Sequence, residues 1–100
     1  MQDGLLVRIT EMDDELDNIK ELHLMTKFFS DFTDFCETIN DVCDERNWLV
    51  DIVADKILDT TIIEFYTNES KPLFVGKMKI QVIINNQTCC EELKKRIKLF

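Results

Sequence analysis

Glycine, proline and alanine are nearly missing from this 100-residue chain: two glycines, one proline and a single alanine at position 54. With only Gly4 and Gly76, no glycine-rich phosphate loop can be built, which removes the common nucleotide-binding motifs. A lone histidine, His23, has no serine or cysteine at a helical spacing that would suggest a catalytic pair. Long apolar runs are absent too, so no segment reads as a membrane span. The start, MQDGLLVRIT, lacks a basic stretch followed by an apolar core, so a signal peptide is not expected. These absences point to a cytoplasmic or nuclear protein that is not secreted, with thiols kept reduced. The sequons at Asn68 and Asn86 then read as chance matches. Residues with GC-rich codons are scarce while isoleucine, asparagine, aspartate and lysine are plentiful, which suggests an AT-rich genome such as that of a virus, a phage, a microsporidian or a low-GC bacterium.

Charge, by contrast, is abundant and uneven. Residues 1–45 hold thirteen acids and three bases, a net of −10, and residues 46–100 hold seven acids and nine bases, a net of +2, which together give −8. Such asymmetry favours an electrostatically guided contact and bears on association and solubility rather than on fold. The length fits one small acidic domain over residues 1–100.

Leu5–Ile9 reads as a short strand, and Thr10 with Asp13 as a loose capping box at the start of a helix. From Met12 to Asp44 there is no glycine or proline, which predicts one long helix, with a break near Leu24–Thr26 as the variant. Leu22, Met25, Phe29, Phe32, Cys36, Ile39 and Cys43 recur at 3, 4, 3, 4, 3, 4, and Phe28, Phe35 and Val42 flank that row at intervals of seven. The apolar face is broader than a coiled-coil seam, so the helix should pack against several neighbours. Asp31, Asp34, Glu37, Asp41 and Asp44 stack on the opposite face, where like charges repel by only tenths of a kcal/mol per pair.

A second helix is predicted over Trp48–Leu58, capped by Asp44 or Asn47, with Leu49, Ile52, Val53 and Ile57 inward. Asp59–Thr67 turns β-branched and aromatic, a strand, and Asn68–Pro72 carries turn residues. In Leu73–Ile84, Met78, Ile80, Val82 and Ile84 alternate with Lys77, Lys79 and Gln81, the period of a half-buried strand, with Gly76 marking a bulge. The two strands should form an antiparallel hairpin. Thr88 and Glu91 form a capping box for a last helix, Cys89–Leu99, with Leu93, Ile97 and Phe100 inward. The expected fold is α+β: a long N-terminal helix and a second helix on a small antiparallel sheet, made of the hairpin and the N-terminal strand, plus a C-terminal helix.

The four cysteines do not make a metal site by spacing. Cys36 and Cys43 lie about 10 Å apart along one helix, too far for one zinc with Zn–S of about 2.3 Å, or for a disulfide. They read as small core residues. No catalytic residue, metal ligand or cofactor is therefore expected, and the chain reads as non-enzymatic. The C-terminal KKRIK lacks the interleaved aromatics of a single-strand binder, so direct nucleic-acid binding is not expected, and neither is a membrane partner.

What remains is a non-catalytic protein–protein interaction module: a small regulator, adaptor or assembly subunit. Its expected contact residues are Phe28, Phe35 and Val42, at the margin of the apolar stripe, with another protein or a second copy of the chain as partner. The alternative is an acidic mimic of nucleic acid that inhibits a basic nucleic-acid-binding protein through Asp31, Asp34, Glu37 and Asp41.

Overall fold

The computed structural model describes residues 6–25, 30–55 and 60–83. The fold is α+β: β1 (Leu6–Met12), α1 (Asp14–Asp17), α2 (Lys20–Met25), β2 (Ser30–Asp31), α3 (Phe32–Arg46), β3 (Trp48–Asp55), β4 (Thr60–Thr67) and β5 (Phe74–Ile83). The strands form one sheet in the order β2-β1-β5-β4-β3, antiparallel throughout, with β2 only a two-residue extension at one margin. β3, β4 and β5 run as a meander, and β1 joins from the other end of the chain, pairing Val7 with Val82 and Ile9 with Ile80.

Strand alternation decides which residues enter the core. Val7, Ile9, Val50, Ile52, Ile63, Phe65, Met78 and Ile80 are buried on one sheet face. Over them lie Leu16, Ile19 and Leu22 from the first two helices, and Phe32, Phe35, Cys36, Ile39, Val42 and Cys43 from α3. α3 touches β1, β2 and β3, so it spans the sheet from one margin to the other. Among the described residues no polar or charged side chain is buried.

Two parts of the expected architecture are corrected. The long helix from Met12 to Asp44 is divided. Met12 and Thr10 belong to β1, and Asp13 becomes the residue before α1, where its amide donates to the Lys77 carbonyl at 3.0 Å and its Oδ2 accepts from the Lys77 amide at 3.0 Å. Ser30 and Asp31 then pair with Val7 and Leu6, and Asp31 caps a new helix by accepting from the amides of Thr33 (2.8 Å) and Asp34 (3.2 Å). The Leu22–Cys43 spacing is real, but α2 carries Leu22 and Met25 while α3 carries Phe32 onward.

The predicted helix over Trp48–Leu58 is instead strand β3. Asn47 adopts the left-handed conformation (φ 57°, ψ 51°) and ends α3, its amide donating to the Cys43 carbonyl. It therefore terminates one helix rather than opening another. Beyond it burial alternates: Val50 and Ile52 are buried, Asp51 and Val53 exposed. Of the expected inward set Leu49, Ile52, Val53 and Ile57, only Ile52 is buried among the described residues.

The expected N-terminal strand and the hairpin appear. β4, the turn and β5 form the antiparallel hairpin, and Thr67 closes the turn: its amide donates to the Leu73 carbonyl and its Oγ1 accepts from the Leu73 amide, both at 2.9 Å. Phe65 faces Gly76 while Tyr66 faces Phe74, so Val75 is the extra residue of a bulge beside Gly76. A Cβ at Gly76 would sit 3.4 Å from Asp13 Cβ and Leu16 Cγ, an ordinary contact distance, so α1 packs closely over the bulge. The C-terminal helix expected over Cys89–Leu99 lies outside the described residues, as does Phe28.

Candidate interaction surfaces

The residues of α3 separate cleanly by environment. Phe35 is fully buried and Val42 is 2% exposed, so these two are core residues and not contacts at a free margin, as the sequence pattern suggested. The sheet below α3 is wide enough to cover the flanking row as well as the central one. Cys36 and Cys43 are buried in the same layer. Asp31, Asp34, Glu37, Asp41 and Asp44 are all exposed. From Asp34 to Asp44 they span about 15 Å of helix axis at about 1.5 Å per residue. Asp31 differs from the rest, because it is engaged as the helix cap. No ion pair among the described residues involves Asp34, Glu37 or Asp41. The only basic residue of α3, Arg46, lies 3.7 Å from Glu45 and 5.7 Å from the Trp48 ring centre. The ridge therefore keeps its negative charge, with its helix held by a buried opposite face.

The second surface is the sheet face away from the helices, as antiparallel sheets with one covered face commonly present. Its cross-strand rows are Leu49–Tyr66–Phe74, Asp51–Glu64–Lys77 and Val53–Ile62–Lys79. Tyr66 and Phe74 meet edge to face at 5.6 Å, and Phe74 remains 53% exposed. The Tyr66 hydroxyl donates to Glu64 at 3.2 Å. Partial desolvation raises its pKa above the ordinary value, and the charge and hydrogen bond of Glu64 and the charge of Asp51 act in the same direction. At the rim, Lys79 pairs with Glu11 at 3.2 Å. The polar side of β5, with Lys77 and Lys79, was expected from its alternation; the part of the face that β3 adds, Leu49, Asp51 and Val53, was not, because that segment was read as a helix. The β-branched run in WLVDIVAD was the available signal.

The third feature is a shallow, open hollow lined by Ile9, Thr10, Glu11, Met12, Asp17 and His23. His23 Nδ1 and Asp17 Oδ1 are 2.9 Å apart, and both side chains are close to half exposed. A carboxylate on the imidazole is the orienting half of a nucleophilic triad, but the one hydroxyl among the described residues that line the hollow, Thr10 Oγ1, donates to the Lys79 carbonyl at 3.1 Å. Its proton is directed into the sheet and not toward the ring. Among the described residues no group of three or more His, Cys, Asp or Glu side chains could hold a metal ion, and no helix is long and apolar enough to cross a membrane.

No protein-family model, curated protein or solved structure matches this chain. The functional reading therefore rests on the surfaces themselves.

Proposed function

We propose that this protein is a non-catalytic interaction module that meets a basic surface of another protein through the outer ridge of α3. The observation that supports this reading is the set Asp34, Glu37 and Asp41: exposed, on one side of a 15-residue helix, and in no ion pair among the described residues. Burial of the inner face holds the row in place, so a partner need not order it, and preorganisation of this kind lowers the entropic cost of association. Self-association through the same ridge is disfavoured, since two copies would set acid against acid.

The narrower form of the reading is a mimic of nucleic acid. The regular placement of the carboxylates along one side of a single helix favours it, because a basic cleft shaped for phosphates reads a row of charges. In this form the partner is a nucleic-acid-binding protein, and excess DNA or RNA displaces the module.

The test is capture of a partner from extract of the organism that carries the gene, repeated at rising salt. Screening shrinks the reach of charge from about 10 Å at 0.1 M to about 3 Å at 1 M, so capture through the ridge must fall steeply. The triple variant Asp34→Lys, Glu37→Lys, Asp41→Lys should capture none of that partner. Asp31 is left intact, because losing the cap would mix a stability loss of about 0.5–2 kcal/mol into the result. Salt-insensitive capture, or equal capture by the triple variant, rejects the ridge.

A further inference from the structure

The outer margin of the sheet at β3 is a separate surface. Among the described residues β3 has β4 on one side and no strand on the other. Its eight residues pair with β4 one for one, from Trp48 with Thr67 to Asp55 with Thr60, and the register never shifts. The opposite margin is handled differently: β2 covers the first residues of β1, and the register of β1 against β5 shifts between Ile9 and Glu11. Natural edge strands are commonly blunted by a bulge, a proline or charged side chains, lysine above all. The strand WLVDIVAD has no proline or lysine and its pairing has no bulge, so the only charges on it are the acids Asp51 and Asp55. A regular antiparallel strand turns the N–H and C=O of every second residue outward. β3 therefore offers an unbroken row of backbone donors and acceptors.

The side chains beside that row specify what would fit. On the open face Asp51 stands directly across from Glu64, a like-charge pair that disfavours the sheet. Lys77 lies beyond Glu64 in the same row, on the side away from the edge. Asp51 is thus the acid that faces the free margin, and no ion pair among the described residues involves it. Two positions to either side are Leu49, half-buried, and Val53, 43% exposed.

We propose that β3 accepts an extended segment of a partner protein as an added antiparallel strand, with a lysine or arginine opposite Asp51 and apolar residues opposite Leu49 and Val53. Backbone hydrogen bonds would supply the attachment and the alternating side chains the selectivity. The added cation relieves the Asp51–Glu64 repulsion, which nothing on the strand itself does. A second copy of the chain fits less well. Two β3 strands paired about a two-fold axis must match faces, which sets Asp51 against another Asp51, or against Leu49 or Val53. None of these registers supplies a cation, and each copy carries a net charge of −8.

The probe is the capped peptide TVTKTVT, whose lysine and valines share one face, added to the isotope-labelled full-length chain. The expected result is saturable amide shifts and slowed hydrogen exchange confined to residues 48–55. Asp51→Lys, which places a cation across from Glu64 and so keeps the strand compatible with its neighbour, should weaken the lysine peptide by about two- to five-fold. The same variant should favour the glutamate peptide TVTETVT by a similar factor. Equal affinity for the two peptides, or no protection of residues 48–55 with either, overturns the proposal. So does protection already present in the free chain that grows with protein concentration, since the occupant would then be a second copy. The ridge variant of α3 should bind the peptide unchanged, so the two surfaces stand or fall separately.

Discussion

Truncating Phe35 distinguishes a core residue from a partner contact, the two roles open to it from its spacing. Its side chain is fully buried between α3 and the sheet. A buried aromatic side chain removes about 150–250 Å² from water. At about 25 cal/mol/Å² that is roughly 4–6 kcal/mol, an upper bound because the unfolded chain already hides part of it. Alanine retains a little of this burial and leaves a cavity, and Phe→Ala changes in cores fall at about 3–5 kcal/mol. A domain of this size has about 5–15 kcal/mol in total, so Phe35→Ala removes about a fifth or more of its stability. With a urea m-value of about 1.5 kcal/mol/M, the unfolding midpoint falls by roughly 2–3 M. The assay is urea unfolding followed by far-UV circular dichroism, with Asp41→Asn as the exposed control, expected to stay within about 0.5 kcal/mol. A midpoint shift under about 0.5 M for Phe35→Ala, together with lost partner capture, would place the ring on the surface and refute the packing described for α3.

Other substitutions test single features of the fold. Asn47→Val should cost about 1–2 kcal/mol by thermal or urea unfolding, because a β-branched residue resists the left-handed conformation, while Asn47→Gly should cost clearly less; equal costs would refute the role assigned to the backbone there. Gly76→Val should destabilise by about 1–3 kcal/mol, since its methyl groups reach past the 3.4 Å approach of Asp13 and Leu16, while Gly76→Ala stays within about 1 kcal/mol; a harmless valine would mean that α1 does not sit against the bulge. Tyr66 is the chain's one tyrosine, so tyrosinate absorbance reports it alone, and it should titrate above 10.0. The unfolded chain ionises this group first, so its contribution to stability is intact below the ordinary value and is lost as pH rises through the raised one. Glu64→Gln should bring the titration back toward 10.0, and an unmoved midpoint would remove Glu64 as a cause.

Several elements were legible because their signals are local. The β4–β5 hairpin follows from a β-branched run, a turn rich in polar residues and a period of two, and Gly76 marked the bulge. The two faces of α3 follow from helical spacing, and Cys36 and Cys43 sit in the core as that spacing suggested. β3 was misread because Leu49, Ile52, Val53 and Ile57 satisfy a helical period as well as a strand's content of β-branched residues. Short apolar runs do not settle that choice alone. The division of the long helix had a signal in Ser30 and Asp31, which are good residues for a helix start, but with no glycine or proline nearby an unbroken helix satisfied the same pattern.

The amino-acid order by itself therefore determined the α+β class, the hairpin and the separation of acids from phenylalanines around α3, because each depends on neighbours a few residues apart. Tertiary structure decided the rest. Eight paired residues on β4 hold Trp48–Asp55 extended, and β5 brings Ile80 opposite Ile9 from the far end of the chain. The sheet so formed is wide enough to bury Phe35 and Val42 along with the central row. Periodicity tells which side chains share a face, but the cover over that face depends on strands that meet only when the whole chain has folded.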